Sequence, residues 1–252
     1  MISNGKAVSM NKTEQVARLL LAQIIEDGLS PGDSFGTETD LLKQFEVSRP
    51  TLREGLRVLE SQGVLSMRPG PGGGIIVARP GADVIAHLVS VFLRLNNVPF
   101  SEILRTRIAI EPILVQDAAR HGTEAHFAEM ESTIVRMEAP DSSDEVVHRE
   151  NRLFHGVIAR ASGNPVLELF WNTISILASG EGTGIQYSRK NRSHIIEAHR
   201  RILNACRRRD HDAAQREMAA HLGELEALIR SRYRGKLTEP PRISYRPVRI
   251  SG

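Results

Sequence analysis

The chain has 252 residues, of which 40% are hydrophobic and only 4% aromatic, and its formal net charge is +3. This length allows two domains of ordinary size, and the low aromatic content favours helices over a β-sandwich. The lone Cys206 excludes an internal disulfide and a cysteine-based zinc finger, and no apolar run approaches the ~18 residues of a membrane span. Because the first residues also lack the apolar core of a signal peptide, we expect a cytoplasmic protein without a membrane partner.

The first part of the chain is predicted to form three helices followed by two strands. Apolar residues recur on one helical face within 13–27, a short helix over 37–45 begins at Thr37, and a third helix follows Ser48. Two short strands then flank a glycine- and proline-rich loop, at Val64–Arg68 and Ile75–Ala78. This order is typical of a winged helix-turn-helix domain, which we assign to residues 10–79.

The remainder of the chain is predicted to be helical. Residues 80–84 contain Pro80–Gly81 and are assigned to a linker, and residues 85–233 show helical periodicity almost throughout, without strand alternation. The last segment, 234–252, is basic and contains prolines, which indicates a disordered tail. The fold class is therefore mainly α, with an N-terminal winged helix-turn-helix and a C-terminal helical bundle.

The third helix carries a row of arginines, in the segment "SRPTLREGLRVLE". Arg49, Arg53 and Arg57 lie at i, i+4 and i+8, a spacing at which like charges destabilise a helix. Arg57 has acidic residues three positions away on both sides, whereas Arg53 has none exactly three or four positions away. With Ser48 and Thr51, these arginines make the first turn rich in hydrogen-bond donors, which suits phosphates and base edges. We therefore predict a recognition helix that meets an external polyanion; the alternative is a solvated charged face.

The whole of residues 13–78 resembles the DNA-binding domain of GntR-family transcription regulators, through the elements "SPGD", "TE", "VSRPTLREGLRVLE", "GVL" and "RPGPGGG". The resemblance implies that Ser48, Arg49, Thr51 and Arg53 contact DNA and that the wing glycine Gly70 enters the minor groove. Thr37 and Arg68, the first residues of "TE" and of "RPGPGGG", complete the expected DNA-binding set. One residue departs from the family pattern, because Thr39 stands where an arginine usually follows the glutamate of the second helix.

Four polar residues in the second part are candidates for a metal site. Asn151 and His155 are four residues apart on one predicted helix, and His199 and His221 lie among apolar residues on two others. Imidazoles from three helices that converge in a bundle can bind a divalent ion such as Zn, Ni or Mn. The alternative is that each is an ordinary histidine between helices.

Residues 85–233 resemble the FCD ligand-sensing domain of the FadR-type branch, through segments such as "NRLFHGVIARASGNPVLE". The resemblance implies metal binding by an Asp and three His, with Asn151 standing here in place of the Asp. It also implies that Arg107 meets the carboxylate of a small organic acid effector. Glu111, four residues further, is interpreted as a local ion-pair partner of Arg107.

These observations predict a homodimeric transcription regulator, and they favour a repressor over an activator. We expect it to bind a palindromic operator in double-stranded DNA and to sense a small carboxylate. Two alternatives stay open. One is a metal-dependent enzyme in the helical part, with the N-terminal domain as a DNA tether. The other is a metal-free sensor of an acyl-CoA-type ligand.

Overall fold

A computed structural model describes residues 11–68, 70, 73–178 and 189–241. The chain divides into two compact units, with the boundary between Val84 and Ile85. Helices dominate both units, and strands occur only in the first unit within the described residues. This confirms the predicted fold class, a small winged helix-turn-helix unit followed by an all-helical one.

The first unit contains the three predicted helices and a three-stranded antiparallel sheet. Its helices are α1 (Lys12–Glu26), α2 (Glu38–Phe45) and α3 (Arg49–Ser61), and its strands are β1 (Ser34–Gly36), β2 (Leu65–Arg68) and β3 (Gly74–Val77). Helix α3 buries Leu52, Leu56 and Leu59, which are at most 1% exposed. Gly55 lets α1 pack closely on α3, because a Cβ there would lie 2.8 Å from a methyl group of Val16. The arginines of α3 consequently lie on its outer face.

Strand β1 was not predicted from the sequence. The sheet has the order β1-β3-β2, and β2 pairs with β3 in a register that sets Arg68 opposite Gly74. The segment Ser34–Gly36 is only three residues long, too short to show the alternation by which strands are recognised. It becomes a strand because β3 offers it a free edge, with Ser34 opposite Ile76.

The second unit is built from long antiparallel helices. They are α4 (Ala82–Leu95), α5 (Phe100–His121), α6 (Glu124–Glu138), α7 (Asp144–Ala161), α8 (Pro165–Ala178), α9 (Arg189–Arg207), α10 (His211–Arg232) and the short α11 (Arg234–Thr238). Thr123, Ser143 and Asp210 each cap the helix that follows them by accepting a backbone hydrogen bond. In the described residues, no helix is long and apolar enough to cross a membrane.

Two boundaries differ from those predicted. Helix α4 begins at Ala82, inside the segment assigned to a linker. The expected disordered tail begins with ordered residues, because Leu237 of α11 is buried beside Phe100, whose N–H donates to the carbonyl of Glu239 at 2.8 Å. Burial of this leucine side chain contributes about 2 kcal/mol, and the backbone hydrogen bond adds to it in holding the segment. The predicted disorder of residues 242–252 lies outside the described residues.

The second unit contains two apolar clusters. The larger one joins α5 to α10 through side chains such as Phe127, Phe154 and Met218. The smaller one joins α4, α5 and α11 with the ends of α8 and α10, through Ala86, Leu177 and Ile229. Three buried histidines, His155, His199 and His221, sit on the helices of the larger cluster.

Candidate DNA-binding surface and metal centre

The first turn of α3 is closed by its own cap. Ser48 is the N-cap, and its Oγ accepts the N–H of Thr51 at 3.4 Å. The hydroxyl groups of Ser48 and Thr51 also lie 2.7 Å apart and form a hydrogen bond. The cap leaves Ser48 exposed beside the free backbone N–H groups that begin a helix, a setting that suits an anion.

Arg49 and Arg53 share an internal partner that the sequence reasoning missed. The Nη1 of Arg49 lies 2.8 Å from one carboxylate oxygen of Glu38, and the Nε of Arg53 lies 2.9 Å from the other. The inference that Arg53 lacks an acidic neighbour was therefore wrong, because it considered only residues within the same helix. Glu38 begins α2, and it comes close to the arginines only because α2 and α3 pack in the folded unit.

The third arginine of the row is engaged elsewhere. The Nη1 of Arg57 donates to Glu54 at 2.6 Å, one turn earlier on the same helix. This is the ion pair that the sequence suggested. Arg49 and Arg53 remain the pair that faces outward at the start of α3, with side chains 57% and 56% exposed.

The remaining residues of the expected DNA-binding set lie around this helix start and on the wing. Thr37 caps α2, accepting the N–H of Asp40 and donating its hydroxyl to the Asp40 carboxylate at 2.6 Å. The hydroxyl and the backbone N–H of Thr37 both donate to the Asp40 carboxylate and lower the pKa of that carboxyl. Arg68 is exposed at the end of β2. Gly70 has a φ of +102° and open space around it, so backbone at this point of the wing is accessible.

The three histidines of the second unit converge on one point. The ring centroids of His155 and His199 are 5.3 Å apart, those of His155 and His221 5.4 Å, and those of His199 and His221 5.0 Å. One ligand atom from each ring lies within 4.8 Å of the others. Helices α7, α9 and α10 thus bring together residues that are up to 66 positions apart in the chain (155 to 221).

Three ring nitrogens of this cluster lack a hydrogen-bond partner among the described residues. Among the described residues, the Nε2 of His155 and both ring nitrogens of His199 are buried without a hydrogen-bond partner. Such atoms destabilise a fold unless a ligand or ion occupies them. Burial, reinforced by the neighbouring rings, holds the pKa of His199 well below its usual range and lowers the pKa of His221 to about 3. Both rings are therefore neutral at pH 7, the form in which imidazole binds a metal ion.

Aromatic packing holds one of the rings in place. Phe154 stacks face to face on His199, with centroids 3.8 Å apart and an interplanar angle of 6°. Phe154 is fully buried on α7, directly before His155. Phe154 thus orients the ring of His199, and the next residue on the same helix is His155.

Asn151 lies on the same helix, one turn before His155, and is half-buried. At this spacing it shares the helix face of His155. A neutral amide oxygen is a weaker ligand than a carboxylate, so the set of donors that the chain offers is three imidazoles and one amide.

Glu111 has a larger part in this region than the sequence indicated. Its carboxylate accepts from the Nε of Arg107 at 2.5 Å, and its other oxygen lies 2.5 Å from the Nδ1 of His155. Burial by itself raises the pKa of Glu111, but Arg107 and His155 outweigh it and hold that pKa well below its usual range. The local ion pair with Arg107 is present, and the contact with His155, 44 positions away, adds to it.

Arg107, the expected effector-binding residue, is largely buried and paired with Glu111. It lines a narrow cleft between α5 and α10, with a cavity volume of about 10 Å³. That volume admits about one water molecule. A carboxylate ligand at Arg107 would therefore have to displace the side chains of this cleft, among them Leu222 and Leu225.

Comparisons with known proteins match both units. The sequence profile of the bacterial regulatory proteins of the gntR family matches residues 12–75, and that of the FCD domain matches residues 102–224. The chain is 30% identical over 219 residues to the HTH-type transcriptional regulator YcbG of Bacillus subtilis, covering 87% of this chain and 88% of that one. It is 27% identical over 245 residues to the HTH-type transcriptional repressor NanR of Edwardsiella tarda, covering 90% and 92%.

The fold also matches a solved structure. A GntR protein of Streptococcus agalactiae superposes with a TM-score of 0.70 at 23% sequence identity, over 86% of this chain and 99% of that one. At this identity the match concerns the fold alone. The match extends over both the first and the second unit.

Proposed function

Because this chain belongs to the GntR family of bacterial regulatory proteins and carries an FCD domain, it is a transcription regulator and not an enzyme, and we propose that it is a metal-dependent repressor of this family. In this proposal a dimer binds a palindromic operator in the cytoplasm, and a small organic acid bound at the histidine cluster changes the affinity for that operator. The observation that carries the metal-dependent part is the convergence of three imidazoles, of which His155 and His199 have buried nitrogens without a hydrogen-bond partner among the described residues. Family membership argues against the alternative of a metal-dependent enzyme.

The DNA-binding part of the proposal depends on the start of α3. Arg49 and Arg53 are exposed, and each holds Glu38 through an ion pair of the kind that contributes only about 0–1 kcal/mol at a surface. DNA phosphate or a guanine edge can replace such a partner at little cost. Ser48 and Thr51 would add hydroxyl and backbone donors beside them, Thr37 would contact DNA from the start of α2, and Arg68 and Gly70 would do so from the wing.

The metal part depends on the buried cluster. His155, His199 and His221 would hold the ion, with the amide oxygen of Asn151 as a fourth donor, and Zn, Ni and Mn all accept imidazole ligands. When bound, the divalent ion supplies a Lewis acid to which a carboxylate oxygen can bind. The residues around it exclude water, since the three histidines are at most 4% exposed. A metal-free site for an acyl-CoA-type ligand would instead leave the unpaired nitrogens of His199 unexplained.

Arg107 would also bind a carboxylate group of the effector. A guanidinium binds a carboxylate in a two-point geometry, and that of Arg107 lies at the end of a chain of contacts that leads through Glu111 to His155. Because the cleft beside Arg107 is too small for an organic acid, binding would separate α5 and α10. Such a rearrangement would be the way in which effector binding reaches the DNA-binding unit.

Dimerisation is supported by an apolar surface on α4. Leu88, Phe92 and Leu95 lie at i, i+4 and i+7 and are 66%, 60% and 78% exposed. The opposite face of the helix, with Ala86, packs into the smaller apolar cluster. A helix that is apolar on two faces requires a second surface to cover the outer one. A second copy of the chain would provide it and would pair two α3 helices for a palindromic site.

The metal content of the purified full-length protein tests the proposal directly. Elemental mass spectrometry should find about one equivalent of metal per chain in the wild type and a loss of most of it in His199→Ala. His194→Asn is the matched control, because His194 is an exposed histidine on the same helix. Absence of metal from the wild type after incubation with zinc and with nickel would contradict the proposal.

A second experiment tests the response to an effector. Operator fragments are selected from random-sequence DNA with the purified protein, and binding is then measured by fluorescence anisotropy with a panel of small di- and hydroxycarboxylates. We expect at least one carboxylate to shift the DNA affinity of metal-loaded protein and to have no effect after chelation. A shift that is the same with and without metal would remove the metal from the mechanism and leave a metal-free sensor.

A further inference from the structure

Glu111 is a carboxylate in the protein interior, where an acidic side chain loses its hydration. It lies on α5, is 1% exposed, and has one carboxylate oxygen on Arg107 and the other on His155. A buried carboxylate that only neutralised Arg107 would add little to stability, since desolvation offsets most of the attraction in such pairs. The second contact, to a member of the histidine cluster, indicates a further role.

We infer that Glu111 is the positioning residue of the metal centre: from α5 it fixes the tautomer of His155 and supplies, through that ring, the negative charge that Asn151 lacks. The inference rests on the proposed function, because it concerns the same metal site. It assigns to this chain a carboxylate behind a ligand, where the family resemblance implied one among the ligands.

The tautomer follows from hydrogen-bond chemistry. An ionised carboxylate only accepts hydrogen bonds, so the Nδ1 of His155, 2.5 Å from the Glu111 oxygen, is the nitrogen that donates. The lone pair of the neutral ring then lies on Nε2. In the described part of the chain, Nε2 is the His155 nitrogen that is buried without a hydrogen-bond partner. With the opposite tautomer, an N–H would point into the cluster and exclude a cation.

The charge follows from the set of donors. Three neutral imidazoles and one amide leave both positive charges of a divalent ion uncompensated in a site that is almost closed to water. A carboxylate hydrogen-bonded to a ligating histidine increases the basicity of that ligand. Arg107 holds the remaining oxygen of Glu111 and so fixes the carboxylate in the orientation that meets His155.

The chain offers a matched control for removing this carboxylate. Glu150 is buried to the same extent, 1% exposed, and its two oxygens likewise have two partners. Those partners are Arg136 and Arg149, at 2.7 and 2.9 Å. Glu150→Gln therefore removes an equally buried, doubly paired carboxylate whose two partners are both arginines.

The test measures zinc affinity of the full-length protein by competition with a chromophoric chelator. Glu111→Gln should weaken zinc binding about 10- to 100-fold, as loss of a carboxylate behind a ligating histidine does elsewhere. Glu150→Gln should change it less than about threefold, and Asn151→Asp should recover part of the loss in a double variant with Glu111→Gln. Equal zinc affinity in wild type and Glu111→Gln, or an equal loss in Glu150→Gln, would overturn the inference.

A second measurement needs no metal to bind. Nitrogen-15 NMR of histidine-labelled, metal-free wild type should show His155 protonated at Nδ1, with its signal assigned by His155→Asn. Protonation at Nε2 alone would overturn the assignment of the tautomer. Failure of the proposed function is distinguishable, because it would appear as a wild type that binds no metal, whereas failure of this inference would appear as tight binding that is indifferent to Glu111.

Discussion

Two glutamates, one in each unit, hold their partners in opposite environments. In the first, Glu38 holds Arg49 and Arg53, whose side chains are more than half exposed. In the second, Glu111 holds Arg107 and His155 in the interior, where the side chains of Glu111 and His155 are 2% and 1% exposed. Surface pairs exchange partners readily, whereas a buried carboxylate cannot lose a partner without a large penalty. The first arrangement suits the proposed exchange of Glu38 for DNA, and the second suits the fixed orientation proposed for the ring of His155.

The largest expected effect concerns the buried site, and it appears as pH dependence of stability. Burial lowers the pKa of His199 and of His221 in the folded protein, so the unfolded chain takes up protons first as the pH falls below about 6.5. The contribution of these two histidines to the free energy of unfolding is therefore complete above pH 6.5, and it is lost as the pH falls towards 3. From pH 7 to 5.5 we expect the metal-free protein to lose about 1 kcal/mol for each of the two histidines.

Urea unfolding followed by tryptophan fluorescence measures this loss, because Trp171, the single tryptophan, is buried in the second unit. The experiment is done with a chelator present, since bound metal would add its own proton competition. His221→Asn should remove about half of the pH dependence, whereas His194→Asn, at an exposed position, should leave it unchanged. A free energy of unfolding that is constant between pH 7 and 5.5 would mean that the cluster is not buried in solution.

The next effect concerns the exposed site. Arg53→Ala should weaken binding to a selected operator by about tenfold or more, because a lost contact to a base edge or phosphate costs about 1–3 kcal/mol. Fluorescence anisotropy at fixed salt measures it. Unchanged operator affinity in Arg53→Ala would remove α3 from its predicted role as the recognition helix.

Arg57→Ala is the matched control for that change. Arg57 is on the same helix and has a side chain that is 69% exposed, but its guanidinium is paired with Glu54, one turn away. We expect a change in operator affinity of less than about threefold, as for removal of a surface ion pair. If Arg57→Ala weakened binding as much as Arg53→Ala, general charge rather than placement at the helix start would explain the affinity.

The sequence predicted the parts of the first unit that depend on local pattern. The spacing of Leu52, Leu56 and Leu59 is a property of a single helix, and α3 buries these leucines as that spacing indicates. Strand β1 and the contact of Glu38 with Arg53 depend on packing between elements, and no spacing along the chain encodes them. A search for acidic residues at neighbouring helix starts would have pointed to Glu38.

In the second unit, the sequence indicated which histidines are buried but not what surrounds them. Apolar neighbours marked His199 and His221, and the structure brings both to His155. The contact between Glu111 and His155 was missed because Glu111 has an arginine one turn away, which was a sufficient local explanation. A glutamate on an apolar helix face, between Leu104 and Leu114, was the signal for burial that could have suggested a second partner.

The smallest expected effect tests whether the ion pairs of Glu38 with Arg49 and Arg53 contribute to DNA recognition. Glu38→Gln removes the negative charge between Arg49 and Arg53 and leaves the side chain the same size. We expect affinity for random-sequence DNA to rise about two- to threefold and to fall more steeply with salt, because the two arginines are no longer partly neutralised. Affinity for the selected operator should rise less, because the ion pairs with Glu38 also orient both guanidinium groups before DNA replaces it, and the ratio of specific to non-specific binding should therefore decline. Anisotropy titrations on both DNAs at several salt concentrations measure that ratio, with Glu54→Gln, which frees Arg57 instead, as the control. An equal rise on both DNAs would reduce Glu38 to a counter-charge, whereas a lower ratio would make it part of how the helix discriminates sequence.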